Sequence, residues 1–406
     1  MLQDQADSFS LARRTTAVLF ASLLFSLAVL SQPAHSQTYK VIYNFSGQGS
    51  DGATPYGGPT LDHLGNLYGT TNLGGTYSSG SVYRLSPNGS SWKYTSLYSF
   101  KGVTDGAGPG YETLAIGADR ALFGTTEAGG NFGTAFAICA CPGREIQIQR
   151  FGSGTDGAEP MNGVVFDSAG NFYGATLLGG ANGNGAVYEA KRSGKTWTES
   201  VIYSFTGGSD AINPVATVSL DAHGNLYGTA PAGGAFSNGA VYELSRSSSG
   251  WTESVLYSFQ GGNDGANPVG GVIVDKAGNL YGTTFDGGIN GGGTVYELSP
   301  SNSGWTFTVL YSFVGGYGGP YNKLTLDTKG NLYGFTNSEG AYGFGEIFKL
   351  TPGNGTWTLT DLYDFPGGAE GGFPYGSVAV DGTGDVFGTA VIGGSNNQGI
   401  IFEITP

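Results

Sequence analysis

Positive charge is scarce in this chain. Lys and Arg number 17 against 31 Asp and Glu, for a formal net charge of −14. A surface of that sign does not attract phosphate backbones or anionic lipid, which need clustered Lys and Arg. Nucleic acid is therefore not an expected partner. Cysteine is nearly absent: Cys139 and Cys141, in Cys-Ala-Cys, are the only two. On a strand both would point to one face with Cα atoms near the upper limit for a disulfide, so a strained bridge and two free buried thiols both stay open. The Cys-x-x-Cys pairs and histidines of a zinc site are missing. Three histidines occur, His35 near the N-terminus and His63 and His223 in Asp-to-Gly-Asn turns, which leaves none for a Ser-His-Asp triad.

Long apolar runs are also rare. The one that stands out, Ala17–Leu30, follows Arg13 and Arg14 and is short for a membrane span. Ala34-His35-Ser36 then places small residues at the −3 and −1 positions of a cleavage site. Residues 1–36 read as an export signal cut after Ser36. Its removal takes away Asp4, Asp7, Arg13 and Arg14, so the charge stays at −14. No later stretch suits membrane insertion, and the chain stops at Pro406 without an apolar tail. The expectation is an exported protein at the cell surface, in the periplasm or outside the cell, and a monomer.

What the chain has in abundance is glycine, 75 residues without a Gly-X-Y period, with aromatics at 13% and charged residues at 12%. That composition excludes collagen and disorder and suits strands joined by tight turns. The strands are organised by a hexapeptide, clearest as Asn279–Thr284 (Asn-Leu-Tyr-Gly-Thr-Thr). It recurs at Asn66–Thr71, Ala121–Thr126, Asn171–Thr176, Asn225–Ala230, Asn331–Thr336 and Asp385–Ala390, a period of 50 to 55 residues. Repeats at that period indicate solenoids, propellers or arrays.

One unit shows four short strands. Val269–Asp275 ends in a Gly/Asn turn, and Asn279–Thr284 follows with Leu280 and Tyr281 on opposite faces, so it is expected to be buried on both sides. Gly282 suits close approach of a neighbouring sheet. Thr294–Leu298 and Trp305–Phe313 complete the unit, and no segment has a helical period. The predicted fold is all-β: a seven-bladed β-propeller over residues 37–406 with four antiparallel strands per blade. Tyr39–Phe45 is a fourth-strand sequence without its first three, and Ile400–Thr405 is a third strand without its fourth. The N-terminal strand should therefore complete the last blade and close the ring.

The repeats, with Gly-Asn-Leu-Tyr-Gly-Thr-Thr, Gly-Gly, Val-Tyr-Glu-Leu and Leu-Tyr-Ser-Phe, resemble the tandem repeat called GloVer, found in choice-of-anchor repeat proteins of bacteria. The resemblance covers residues 39–406. It implies an exported or surface protein, often with a C-terminal anchoring segment, and brings no established activity and no catalytic residues.

If the strands run outward from the channel in chain order, loops entering the first strand share a face with loops joining the second and third. Five entering loops carry an aspartate at one position: Asp51, Asp105, Asp156, Asp210 and Asp264. Asp-Gly followed by Pro is ordinary turn chemistry, with the carboxylate capping backbone N–H groups. The functional alternative is a ring of carboxylates for calcium or a polyhydroxyl ligand, though EF-hand-like spacing is missing. No cofactor beyond that calcium alternative is implied. After the loop proline come Tyr56, Tyr321 and Tyr375 in blades 1, 6 and 7, with Tyr111 and Glu112 one step later in blade 2. Met161, Val215 and Val269 hold the place in blades 3 to 5. Closure makes the four tyrosines contiguous, beside Asn322 and Lys323. Such an arc serves as a platform for carbohydrate or an extracellular protein, or else plugs the channel. The second-to-third-strand loops add Glu127, Asp286, Glu339, Tyr77, Phe132, Phe236 and Tyr342. Acids there could serve a glycosidase or polysaccharide lyase, the competing enzyme reading, and a third reading is a structural or protein-interaction repeat.

Overall fold

Each hexapeptide forms the second strand of a blade, and its residue types follow from that place. The computed structural model describes residues 37–406 except 112, 140–144, 153, 195, 249 and 316–317; the expected signal, Glu112 and Cys141 thus lie outside the described residues. In blade 5 the strands Ile273–Val274, Leu280–Thr284, Gly291–Ser301 and Gly304–Val314 pair in that order, all antiparallel. Blades 1, 3, 4 and 6 repeat the order, and blade 2 adds the short strand Ala107–Pro109. In blade 7 the strand Ile400–Thr405 pairs on one side with Val386–Ile392 and on the other with Thr38–Asn44, from the opposite end of the sequence. The chain is a seven-bladed propeller, and its N-terminal strand closes the ring.

The first strand is shorter than the sequence suggests, two residues rather than seven in blade 5. Asp275 N donates to Asn279 O to close the following turn, while Val269 leaves the sheet to reach the channel mouth. The first strands are innermost. Thr60, Val165, Ser219, Ile273, Thr325 and Ala379 all line a channel of about 560 Å³.

Leu280 and Tyr281 are both buried, which puts apolar surface on each face of the strand. The described residues form seven apolar clusters, and each joins two neighbouring blades. One cluster combines Phe387 and Ile401 of blade 7, Phe45 of the closing strand, and Leu67 and Tyr83 of blade 1. The core therefore lies between blades, and stability rises from nearest-neighbour burial.

The hexapeptide glycine has a different cause from the expected one. A Cβ at Gly282 would lie 2.4 Å from the hydroxyl of Tyr296, its register partner on the third strand of the same blade. The glycine admits that ring; it does not admit a neighbouring sheet. The rings of Tyr83, Tyr188, Tyr242 and Tyr296 are fully buried, and their hydroxyls have no hydrogen-bond partner. The matching positions in blades 2, 6 and 7 are Phe136, Phe348 and Phe402. Tyr296→Phe should therefore leave stability unchanged or raise it by up to about 1 kcal/mol, because it removes an unsatisfied buried polar group. Denaturant unfolding checks this, and a loss above about 1 kcal/mol would reveal an unseen partner for the hydroxyl.

Three further hexapeptide positions fix the blade to its own turn and to its neighbour. Asn279 donates from its amide and from Nδ2 to Asp275 (2.9 Å each), and Tyr281 adds its hydroxyl to the same carboxylate at 3.3 Å. The first threonine instead reaches the next blade. Thr125, Thr229, Thr283 and Thr389 donate through Oγ1 to the carbonyls of Asn162, Gly270, Asn322 and Gly57 at 2.6, 3.0, 3.3 and 3.2 Å. Those carbonyls belong to the residue directly after each mouth residue, so the repeat motif itself sets the geometry of the mouth. Cys139, at the end of the strand Thr134–Cys139, is disulfide-bonded.

Candidate functional site

The loop into each blade starts beyond a buried phenylalanine of the preceding outer strand. It must satisfy the strand-end N–H groups, and the loop aspartate does so. Asp210 accepts from Thr206 N (2.7 Å), Thr206 Oγ1 (3.0 Å), the Tyr203 hydroxyl (3.0 Å) and Ala211 N (2.6 Å). Asp51 accepts from Ser46 N, Ser46 Oγ and Gly52 N at 2.7, 2.6 and 2.8 Å. Asp105 takes Lys101 N and the Tyr98 hydroxyl, Asp264 takes Gln260 N and the Tyr257 hydroxyl, and Asp156 takes Gly152 N. Each carboxylate is engaged inside its own loop, and none lines a cavity at the mouth. The structure does not bring the five together.

The loop then pairs with the second-to-third-strand loop of its own blade, as Gly52 with Gly74 and Ala211 with Gly233, so both sets of loops share one face. The proline aims the next residue at the mouth. Pro268 packs on Gly239 of the preceding blade so closely that a Cβ there would come within 2.4 Å. Beyond the prolines, the seven blades contribute Tyr56, Tyr111, Met161, Val215, Val269, Tyr321 and Tyr375, all half-buried.

The tyrosines meet. Tyr56 lies edge-on to Tyr111 and Tyr375, with ring centroids 5.0 and 4.9 Å away, and Tyr321 is tilted against Tyr375 at 4.8 Å. They make an interlocked arc and not a flat platform, because aromatic quadrupoles favour edge contacts at this spacing. A cavity of about 170 Å³ opens beside them. It is lined by Tyr111, Tyr321, Tyr375 and Asn322 of blades 2, 6 and 7 and by Met161, Asn162, Val215 and Val269 of blades 3 to 5.

Burial pushes the Tyr375 hydroxyl well above the ordinary phenol range, and its contact with the Tyr321 hydroxyl adds to this. Burial also raises Tyr111, with the Glu127 carboxylate beside it as the next cause. Both phenols stay protonated at neutral pH and can donate as well as accept. Buried Asn322 donates through Nδ2 to the Tyr375 carbonyl and so fixes the seam between blades 6 and 7.

Of the residues singled out from sequence, Tyr56, Tyr111, Tyr321, Asn322 and Tyr375 come together. Lys323 does not join them: it lines the channel, where its carbonyl accepts from Ser377 Oγ at 2.8 Å. Sequence reasoning assigned no role to Met161, Asn162, Val215 or Val269, although the proline before Met161, Val215 and Val269 marked their place. Around the arc, Tyr77, Phe132, Phe236 and Tyr342 are exposed on the second-to-third-strand loops. His63 and His223 sit in turns on the opposite face, and His223 is exposed.

A family model described as the Gloeobacter/Verrucomicrobia repeat matches residues 133–254 and 247–406. No curated protein matches. Among solved structures, the extracellular domain of a candidate hybrid two-component system from B. thetaiotaomicron is similar with TM-score 0.56 and 11% identity, over 90% of this chain. The match spans 39% of that longer chain. A candidate 6-phosphogluconolactonase from Bacteroides uniformis ATCC 8492 gives TM-score 0.49 and 13% identity, over 76% of this chain and 84% of its own. At 11% identity the likeness to the extracellular domain speaks for the fold alone.

Proposed function

The chain belongs to the Gloeobacter/Verrucomicrobia repeat family, and from the mouth geometry we propose that it is an exported binding module whose ligand is carbohydrate, free or in a cell-envelope polymer. The observation that carries this is the mixed apolar and hydrogen-bonding lining of the 170 Å³ cavity. A sugar ring has an apolar face and a rim of hydroxyls. Met161, Val215 and Val269 match the first, while the tyrosine hydroxyls and the Asn162 and Asn322 amides match the second. The volume suits one ring, with the exposed aromatics around it available to further residues of a chain. Export rests on the Arg13-to-Ser36 pattern, and among the described residues no helix is long and apolar enough to cross a membrane.

A hydrolytic reading needs two carboxyl groups facing the substrate. Among the described residues none lines this cavity, and Glu127 is committed to Tyr111 and Asn72. The test is calorimetric titration of the purified protein with oligosaccharides of differing composition. A sugar that binds should lose at least about tenfold in affinity, roughly 1.4 kcal/mol or more, in Tyr321→Ala/Tyr375→Ala. Unchanged affinity in that variant would remove the mouth from the account. Failure of every sugar would leave the tyrosines as a plug.

A further inference from the structure

We propose that blade 6 carries a calcium site formed by Glu346, Asp361 and Asp364, with the Thr336 hydroxyl beside it. The site is separate from the mouth and independent of the sugar reading.

The placement follows from strand register. Thr336 pairs with Glu346, and Glu346 pairs with Asp364. A bulge in the outer strand then sets Phe348 opposite Asp361, skipping Leu362. Without that extra residue Asp361 and Asp364 would face opposite ways; with it they join Glu346 on one face. The corresponding residues in blade 5 are Thr294, Val309 and Ser312, and in blade 4 Ala240, Val255 and Ser258. Blade 6 has carboxylates at all three positions.

One oxygen from each of the three carboxylates lies within 4.8 Å of the others. Two oxygens bound to one Ca²⁺ at 2.3–2.6 Å can be at most about 5 Å apart, so all three fit a single ion. Like charges at this distance repel unless a cation sits among them or one carboxyl keeps its proton, and Asp361 and Asp364 share a hydrogen bond. Among the described residues no Lys or Arg pairs with any of them.

The second observation is Thr336. Its hydroxyl is 0% exposed and has no hydrogen-bond partner. In blades 1, 2 and 5 the same threonine bonds the side chain of its register partner: Thr71 with Ser81 at 2.8 Å, Thr126 with Thr134 and Thr284 with Thr294 at 2.9 Å. In blade 6 that partner is Glu346, so strand register directs the orphaned hydroxyl toward Glu346. A buried hydroxyl left bare is costly, and a cation would take it as a neutral oxygen ligand. Glu339 Oε1, shielded and also without a partner, approaches the same group and acts on Glu346. Gly340 keeps the approach open, since a Cβ there would come within 2.4 Å of Asp364 Oδ1. Several hard anionic oxygens without imidazole or thiolate favour Ca²⁺, and Mg²⁺ would demand stricter octahedral geometry.

The test is thermal unfolding of the chelator-treated protein at pH 7.5, with about 10 mM CaCl2, the same MgCl2, or EDTA, alongside calcium calorimetry. Calcium should raise Tm by about 3–5 °C with one site per chain, and magnesium by less. Glu346→Gln and Asp361→Asn should raise Tm in EDTA, because they relieve repulsion, and should lose the calcium response. No calcium heat or Tm shift in the unmodified protein overturns the proposal. So does a calcium shift that survives both substitutions, since the ion would then sit elsewhere.

Discussion

A chain that begins at Ser46 should not fold into a monomer. The lost strand, Thr38–Asn44 with Phe45, supplies more than hydrogen bonds to the edge of Ile400–Thr405. Tyr39 stacks on Tyr363 with centroids 3.7 Å apart and meets Phe365 edge-on; Tyr43 stacks on Tyr94 at 4.4 Å. Phe45 is fully buried between blades 7 and 1, and its amide donates to Gly399 O at 3.1 Å. Truncating one such aromatic costs about 3–5 kcal/mol, so losing three exceeds about 9 kcal/mol and rivals the whole stability of an ordinary domain. An unpaired third strand is also a template for association. The truncated chain should show no cooperative melting transition and should elute as oligomer or aggregate. A peptide of residues 37–46 added during refolding should restore the monomer in part. Chromatography with light scattering and circular dichroism reads both. Cooperative monomeric melting within a few degrees of the full protein would show that the ring holds without its closing strand.

Stability should also fall as pH rises from 5 to 8. Glu199 and Glu253 occupy matching outer-strand positions, each with a shielded Oε1 that finds no partner. Burial pushes each carboxyl up to about 7, and Asp156 beside Glu199 and Asp210 beside Glu253 add to it. The other groups facing them are phenols, Tyr188 for the first and Tyr242 and Tyr203 for the second, all neutral in this range. In the unfolded chain each glutamate ionises near its ordinary value. Between about pH 4.5 and 7 the folded state therefore holds more protons than the unfolded one, and stability declines with pH across that window. A displacement to about 7 corresponds to roughly 3 kcal/mol, which half-exposure reduces to about 1 kcal/mol for each residue. Between pH 5.5 and 8.0 these two residues should account for about 1 kcal/mol of the fall in unfolding free energy, which Glu199→Gln/Glu253→Gln should remove, while Glu346, also raised by burial, leaves a residual slope of the same sign. Stability that rises toward pH 8 would contradict the assignment. At the acid end the sign reverses. Burial alone would raise Asp62, Asp221 and Asp327, but hydrogen bonds from Asn66, Asn225 and Asn331 and nearby amides outweigh it and lower all three. Their contribution is lost as pH falls below the ordinary aspartate range.

Much of the architecture was legible because a repeat multiplies every local signal. A single Asn-Leu-Tyr-Gly-Thr-Thr could be many things, but seven at one period, with complementary chain ends, leave little besides a closed ring. The tyrosine arc was legible for the same reason: closure places blades 6, 7, 1 and 2 side by side before any coordinate is known. The features that escaped sequence reasoning were set by contacts across strands. The reason for Gly282 lies in Tyr296, 14 positions away and reached only through register. Lys323 comes directly after Asn322, yet alternation turns it into the channel. Glu346, Asp361 and Asp364 meet only because of a bulge, which no spacing rule announces. The apolar half of the mouth was placed by the loop prolines, but Met161, Val215 and Val269 carry no polar chemistry from which a ligand role could be read.

The proposal that the mouth binds a sugar is tested most directly by the melting temperature of the purified protein against a panel of mono- and oligosaccharides. A ligand of the folded state must raise Tm with its concentration. A rise of several degrees at saturating concentration, confined to sugars of one composition and absent in Tyr321→Ala/Tyr375→Ala, is the predicted result. A flat response to every sugar, with the double variant merely less stable than its parent, would contradict it and leave the four tyrosines as the stopper of the channel.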